Sequence, residues 1–280
     1  MFGERRGFVV WIGAIVLIVS LFLVFVFAGW PGTPDNCVLD SPNTCYCEAY
    51  DTADVLGNAP GVRQPVNTWF NLYAVFSSLL VAIGVHADRK EFGSGAAPNL
   101  ISSKTAVPDL YIFAVLFLGL GSMWFHASLT KWGGILDGVS MFVFVAFLLF
   151  YSIRRFLTSA WLFWVGYLLT VVAFSVINGT GVVSPFVTIF TLVIAYLVVE
   201  VYIWVRTVKV MQGTVKTKLL WLFAVGSILA ATFFWVGSQT GNFLCNPDSL
   251  FQPHGLLWHP LAGVTAVLLY FYWRTAKDPV

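Results

Sequence analysis

Gly119-Leu120-Gly121-Ser122-Met123-Trp124-Phe125-His126-Ala127-Ser128-Leu129, followed shortly by Leu136-Asp137, lies where one apolar run ends and the next begins. It sets a serine, a histidine and an aspartate at one edge of a membrane span, where ionisable groups are costly and mark function. Working outward, eight apolar runs approach the ~20 residues that a bilayer-crossing helix needs. They cover roughly 8–29, 68–87, 108–128, 133–153, 159–177, 183–205, 219–237 and 253–273. The chain is 59% hydrophobic and only 10% charged over 280 residues, against about 25% charged in soluble domains. Continuous runs argue against a β-barrel, whose strands read as ~10-residue alternating segments. The expected fold is therefore all-α and polytopic: a seven-helix bundle with one extra N-terminal transmembrane helix, eight spans in total. Residues 1–30 form the anchor helix, 31–66 a cysteine-containing outer loop and 67–280 the bundle.

Charge fixes the expected orientation. With the N-terminus inside, 13 of the 15 Lys and Arg residues face the cytoplasm, and only Arg63 and Lys131 lie outside. An odd number of spans destroys this asymmetry, so both termini are expected to be cytoplasmic. The run Phe8–Gly29 exceeds the 7–15 residues of a signal-peptide core and reads as an uncleaved anchor. All four cysteines then fall outside, where disulfides persist: Cys37, Cys45 and Cys47 in the 31–66 loop and Cys245 in the 238–252 loop. Of the three possible pairings, Cys37–Cys45 with Cys47–Cys245 is favoured, and a Cys45/Cys47 metal site is the competing reading. The net charge of +2 does not point to nucleic acid, and no nucleotide or redox cofactor motif is present.

The remaining polar residues have plainer readings. The carboxylates Asp35, Asp40, Glu48, Asp51 and Asp54 lack EF-hand spacing and read as a solvated acidic loop. Asn67 and Asn71 share a helix face and suit hydrogen bonds to neighbouring helices. The 88–106 loop is polar and expected to be mobile. Asn178-Gly179-Thr180 is a formal glycosylation sequon in a turn too tight against the bilayer for modification. Glu200, near the inner end of its run, is expected to snorkel to the interface.

His126, Asp137 and His259 lie near the outer ends of their spans, with His254 a turn further out and Ser122 one turn before His126. Each alone is more often a helix–helix hydrogen-bonding group, and Asp137 has alternative roles as a counter-ion for Lys131 or a helix N-terminal charge. Together they match the three-histidine set of a catalytic zinc, with a carboxylate to orient or deprotonate its water. His86 falls at the inner side and is excluded.

Gly121-Ser122-x-x-Phe125-His126-Ala127-Ser128-Leu129, Leu136-Asp137 and Trp258-His259, with Cys47-Glu48 and Asn67-Thr68, resemble the alkaline ceramidases. This family belongs to a superfamily of seven-helix membrane hydrolases that includes adiponectin-receptor-like and Per1-like proteins. The resemblance covers about residues 45–274 and leaves the first run outside. It implies a zinc-dependent amidase that hydrolyses ceramide to a sphingosine-type base and a fatty acid. On the matching positions His126, His254 and His259 would hold zinc, Asp137 would be the acid/base on its water, and Ser122 would orient the water or stabilise the oxyanion. The alternatives are a related hydrolase of another lipid amide or ester, or a non-catalytic receptor with structural zinc.

Two departures stand out. The family pattern His-x-x-x-His is here His254-Gly-Leu-Leu-Trp-His259, one residue longer. Five residues of α-helix turn ~500°, leaving the rings ~140° apart. Pro260 distorts this turn, so either a π-bulge closes the gap or His254 precedes the helix. The resemblance also implies a calcium site. Glu48 matches one ligand, but Gln64 stands where a second acid is expected, so Ca2+ here must recruit Asp51, Asp54 or another group.

Overall fold

A computed structural model describes residues 2–40, 45–92, 97–157, 159–183, 185–208 and 214–276. Lys209 and Lys277, used above to orient the chain, lie outside the described residues. Of the described residues 78% are helical, and among them the extended pairing is an isolated Pro34–Thr130 bridge. Helix α1 (Phe2–Ala28) is followed by three short outer helices, α2 (Asn36–Asp40), α3 (Thr52–Leu56) and α4 (Pro65–Phe70). Then come α5 (Tyr73–Phe92), α6 (Ala106–Ser128), α7 (Lys131–Phe156), α8 (Ala160–Thr180), α9 (Pro185–Val208) and α10 (Val215–Gly237). A π-helical turn, His254–Trp258, leads into α11 (His259–Thr275). Among the described residues, seven units are long and apolar enough to cross a membrane: Pro65–Phe92, which joins α4 to α5, the helices α6 to α10, and His254–Thr275. In α1 the described apolar stretch, Val16–Ala28, is shorter than these.

Helix α7 runs through the centre of the bundle. Its segment Phe142–Leu149 is buried without interruption, so it reads as apolar all round, as a fully surrounded helix must. Around it the outward faces of α5, α8, α9 and α10 carry exposed Leu, Val, Ile and Phe, which suits lipid contact. Small residues set the central spacing. A Cβ on Gly121 of α6 would lie 2.7 Å from Ser140 Cβ and 2.9 Å from the Leu136 carbonyl of α7. Such close approach is the usual route to tight packing in lipid.

The outer loop is a folded cover. Trp30 is buried and donates from Nε1 to the Gly61 carbonyl at 2.7 Å, while Trp132 donates to the Pro31 carbonyl at 2.6 Å. Phe22, Phe25, Trp30, Trp124 and Trp132 form one aromatic cluster. This cluster docks the end of α1 on the back of α6. The cysteines pair as Cys37–Cys45 and Cys47–Cys245, the second tying the cover to the segment before the π-turn.

Several polar residues differ from expectation. Glu48 is buried, whereas Asp40, Asp51 and Asp54 stay exposed as expected of a solvated loop, Asp51 accepting from Ala53 N at 2.8 Å to cap α3 and Asp54 pairing with Arg63 at 3.6 Å. Asn71 donates to the Asn67 carbonyl one turn back at 2.8 Å instead of crossing to another helix. At the opposite end the described part of the 88–106 loop is tied down. Buried Asn99 donates to the carbonyls of Trp273 and Arg274, both at 3.0 Å. Glu200 does not snorkel; it is fully buried against Arg155 at 3.2 Å.

Candidate metal centre

The reversal between α6 and α7 brings the opening motif together. Helix α6 stops where Leu129 takes a left-handed conformation (φ 51°). This is a costly position for a branched side chain, held here by full burial of the leucine. Thr130 then caps α7, its hydroxyl accepting from Gly133 N at 3.3 Å. The sharp turn returns the second turn of α7 to the last turns of α6, so buried Asp137 and Ser122 line the same pocket. Ser122 Oγ also lies 3.5 Å from His259 Nε2, a long contact.

The extra residue between His254 and His259 is absorbed by the π-turn. The His259 N–H donates to the His254 carbonyl, five residues back. A π-turn adds one residue to a helical turn, so residues five apart return to one face. Gly255 lets this turn lie on α4: a Cβ there would come 2.9 Å from Asn67 Oδ1. The two imidazole centroids are 4.8 Å apart, and those of His126 and His254 are 5.1 Å apart. All three histidines are buried, and their candidate ligand nitrogens lie within 4.8 Å of one another. Among the described residues, Nδ1 of His254 and Nδ1 of His259 have no hydrogen-bond partner. Buried polar atoms are rarely left unsatisfied, and the residues fit a metal ion drawn to three imidazoles. His86, on α5, is not part of this cluster.

Tyr46 covers the centre. It takes a positive φ of 51° between two disulfide-bonded cysteines. Its ring centroid lies 4.9 Å from that of His254 and 5.5 Å from that of His126. Sequence patterns gave no signal for this residue, because its position follows from a local cross-link, Cys37–Cys45, and a distant one, Cys47–Cys245.

The calcium expectation fails the same test of fit. Glu48 Oε1 accepts from Val66 N and Oε2 from Asn67 N, both at 2.7 Å, so the carboxylate caps α4. Burial pushes its carboxyl above the usual range, opposed by those two backbone donors. Gln64 turns its amide nitrogen, a donor, toward the carbonyls of Cys45 and Glu48. Asp51 and Asp54 are engaged as described above. The residues do not fit calcium. Adding millimolar CaCl2 to purified protein is expected to leave its thermal unfolding midpoint unchanged, and a rise of several degrees would reveal a bound ion.

Two cavities meet at the centre. One is lined by Tyr46, Asn71, Tyr73, Ser122, Asp137, His254 and His259, with Leu118, Met141, Trp235 and Trp258. Those last four residues also line a larger apolar cavity between α6, α7, α9, α10 and α11. The arrangement joins a polar pocket to an apolar one, the usual anatomy of a site for a lipid-like ligand.

Comparison with curated protein sequences gives no match. A family model described as Ceramidase matches residues 63–277. That segment carries α4 to α11 with Ser122, His126, Asp137, His254 and His259; α1, the paired cysteines of the cover and Glu48 precede it. The match spans most of the chain, and the chain belongs to the ceramidase family.

Proposed function

We propose that this protein is a zinc-dependent membrane amidase that hydrolyses ceramide to a sphingoid base and a fatty acid. The observation that carries this is the cluster of three buried histidines with Asp137 and Ser122 beside it, opening on an apolar cavity. His126, His254 and His259 would hold the ion, and an all-nitrogen set with an open position suits zinc. When bound, zinc supplies a water acidified to a pKa of about 7 and a Lewis acid for the amide carbonyl.

The residues of this chain do the rest. Asp137 accepts the proton released by the attacking water and returns it to the amide nitrogen as the C–N bond breaks, so the base departs as an amine. Ser122, in the same pocket as Asp137 and next to His259, orients that water or donates to the carbonyl oxygen as charge develops on it. The apolar cavity between α6, α7, α9, α10 and α11 takes a hydrocarbon chain and holds the scissile bond at its polar end. Tyr46 and the disulfide-bonded cover limit access of bulk water from above.

The same proposal includes an eighth span. Helix α1, 27 residues long, would cross the bilayer and place both termini in the cytoplasm, as the Lys and Arg distribution requires. The centre would then lie near the extracytoplasmic or lumenal side, the compartment in which Cys37–Cys45 and Cys47–Cys245 persist.

Metal analysis and ceramide hydrolysis, compared between wild type and His126→Ala, test the proposal. Wild type is expected to carry about one zinc ion per chain and to release fatty acid. The variant is expected to lose both. Wild-type turnover without zinc would overturn the mechanism, and bound zinc without turnover on any lipid amide or ester would favour a receptor.

A further inference from the structure

Gln64 is fully buried, and its side-chain orientation is determined by its neighbours. Its Nε2 donates to the carbonyl oxygens of Cys45 and Glu48. Carbonyl oxygens only accept, so the nitrogen end of the amide must face them. Its Oε1 therefore faces His126 Nδ1, at 2.7 Å. An amide oxygen cannot donate, so the proton in that bond sits on Nδ1 of the imidazole. Flipping the amide would set its oxygen against two carbonyl oxygens. The backbone holds the residue in register, with Gln64 N donating to the His126 carbonyl and Arg63 N to the Ala127 carbonyl, both at 3.1 Å.

We infer that Gln64 is a positioning residue for the metal centre: it locks His126 as the Nδ1–H tautomer, so that Nε2 presents its lone pair to the ion. This rests on the metal reading of the histidine cluster. A ring nitrogen that donates to an outer acceptor is oriented and made more basic at its other nitrogen, and losing such a partner typically lowers metal affinity 10–100-fold. Cys45 is held by Cys37, and Glu48 caps α4, so the same amide couples the disulfide-bonded cover to the ligand. The competing role is purely structural, in which Gln64 only pins the cover through its two donor bonds.

Gln64→Leu and Gln64→Glu separate the two. Leucine removes both ends of the amide, whereas glutamate keeps an acceptor for His126 Nδ1–H but loses the donors to Cys45 and Glu48. Zinc affinity is measured by chelator competition on folded protein, alongside the thermal unfolding midpoint. Gln64→Leu is expected to lower zinc affinity about 10–100-fold. Gln64→Glu is expected to hold affinity within a few-fold of wild type while lowering the midpoint. Wild-type affinity in the leucine variant, or an equal loss in both variants, would overturn the inference. Selective ¹⁵N-histidine NMR of metal-free wild type supplies a readout on the unsubstituted residue. The His126 signal, assigned by its loss in His126→Ala, is expected to show the proton on Nδ1; a proton on Nε2 would overturn the inference. A wild type that binds no zinc but shows the Nδ1–H tautomer would instead overturn the function proposed above.

Discussion

Asp137→Asn is expected to leave three histidines and their bound metal in place and to lower turnover by about 10²–10⁴-fold, the range of a lost general acid–base group. The substitution keeps the shape of the side chain and an acceptor oxygen in the pocket. What it removes is the capacity to take a proton and give it back. Hydrolysis of an amide needs both halves: the nucleophile must lose a proton, and the departing nitrogen must gain one. Among the described residues lining the polar cavity, Asp137 is the carboxylate. Zinc content by mass spectrometry and initial rates on ceramide, measured on the same preparations, check the result. Zinc retained with turnover within a few-fold of wild type would remove Asp137 from the chemistry. Loss of zinc together with turnover would make it a support of the metal centre instead. If Asp137 acts on the water, Ser122→Ala should lower the rate less, because the hydroxyl orients and does not exchange a proton with substrate.

The helices and the core of this centre were legible because lipid removes alternatives. A continuous apolar run of this length has helix as its one backbone solution in a bilayer, and ionisable residues at the ends of such runs stand out by their cost. Ser122, His126 and Asp137 could be placed together because one- and two-turn offsets are fixed by helix geometry. The five-residue spacing of His254 and His259 could be turned in the same way into a demand for either a π-bulge or a His254 that precedes the helix, and the turn takes the first form. Glu48 was misread as an acid with calcium-like company because a sequence does not show that two backbone donors, at Val66 and Asn67, already occupy its oxygens. Gln64 counted only as the absence of an expected acid, yet it joins the loop to His126. Tyr46, Gln64 and Asn99 share one property: their partners lie far away in the chain, and no local period encodes such pairings. The first helix is the remaining gap between the two views, with eight apolar runs in the sequence and seven units that meet the length and composition of a span.

Glu200→Gln is expected to destabilise the bundle by about 3–5 kcal/mol, the usual result of stripping one partner from a buried ion pair. Glu200 was expected at the interface, but α7 and α11 enclose it. Ser152 Oγ donates to its Oε1 at 2.6 Å, Arg155 lies 3.2 Å away, and Tyr272 donates to Oε2 at 3.0 Å. Trp273 Nε1 adds a bond at 3.3 Å. The carboxylate thus ties α7, α9 and α11 together below the apolar cavity, whose lining includes Tyr196 one turn before it. Glutamine preserves volume and one acceptor, but its amide NH2 would face the Arg155 guanidinium. That group keeps its charge in any surroundings and would stay buried while losing the Glu200 carboxylate. Replacing both partners with apolar residues, Arg155→Met with Glu200→Leu, removes the buried charge as well and is expected to cost less than Glu200→Gln alone. Tyr272→Phe, which deletes a single bond to a charged acceptor, should cost about 1.5–3 kcal/mol. Thermal unfolding in one detergent, with wild type and the variants side by side, gives the order. Glu200→Gln at wild-type stability, or a double variant less stable than it, would show that the cluster does not hold these three helices through its charge pair.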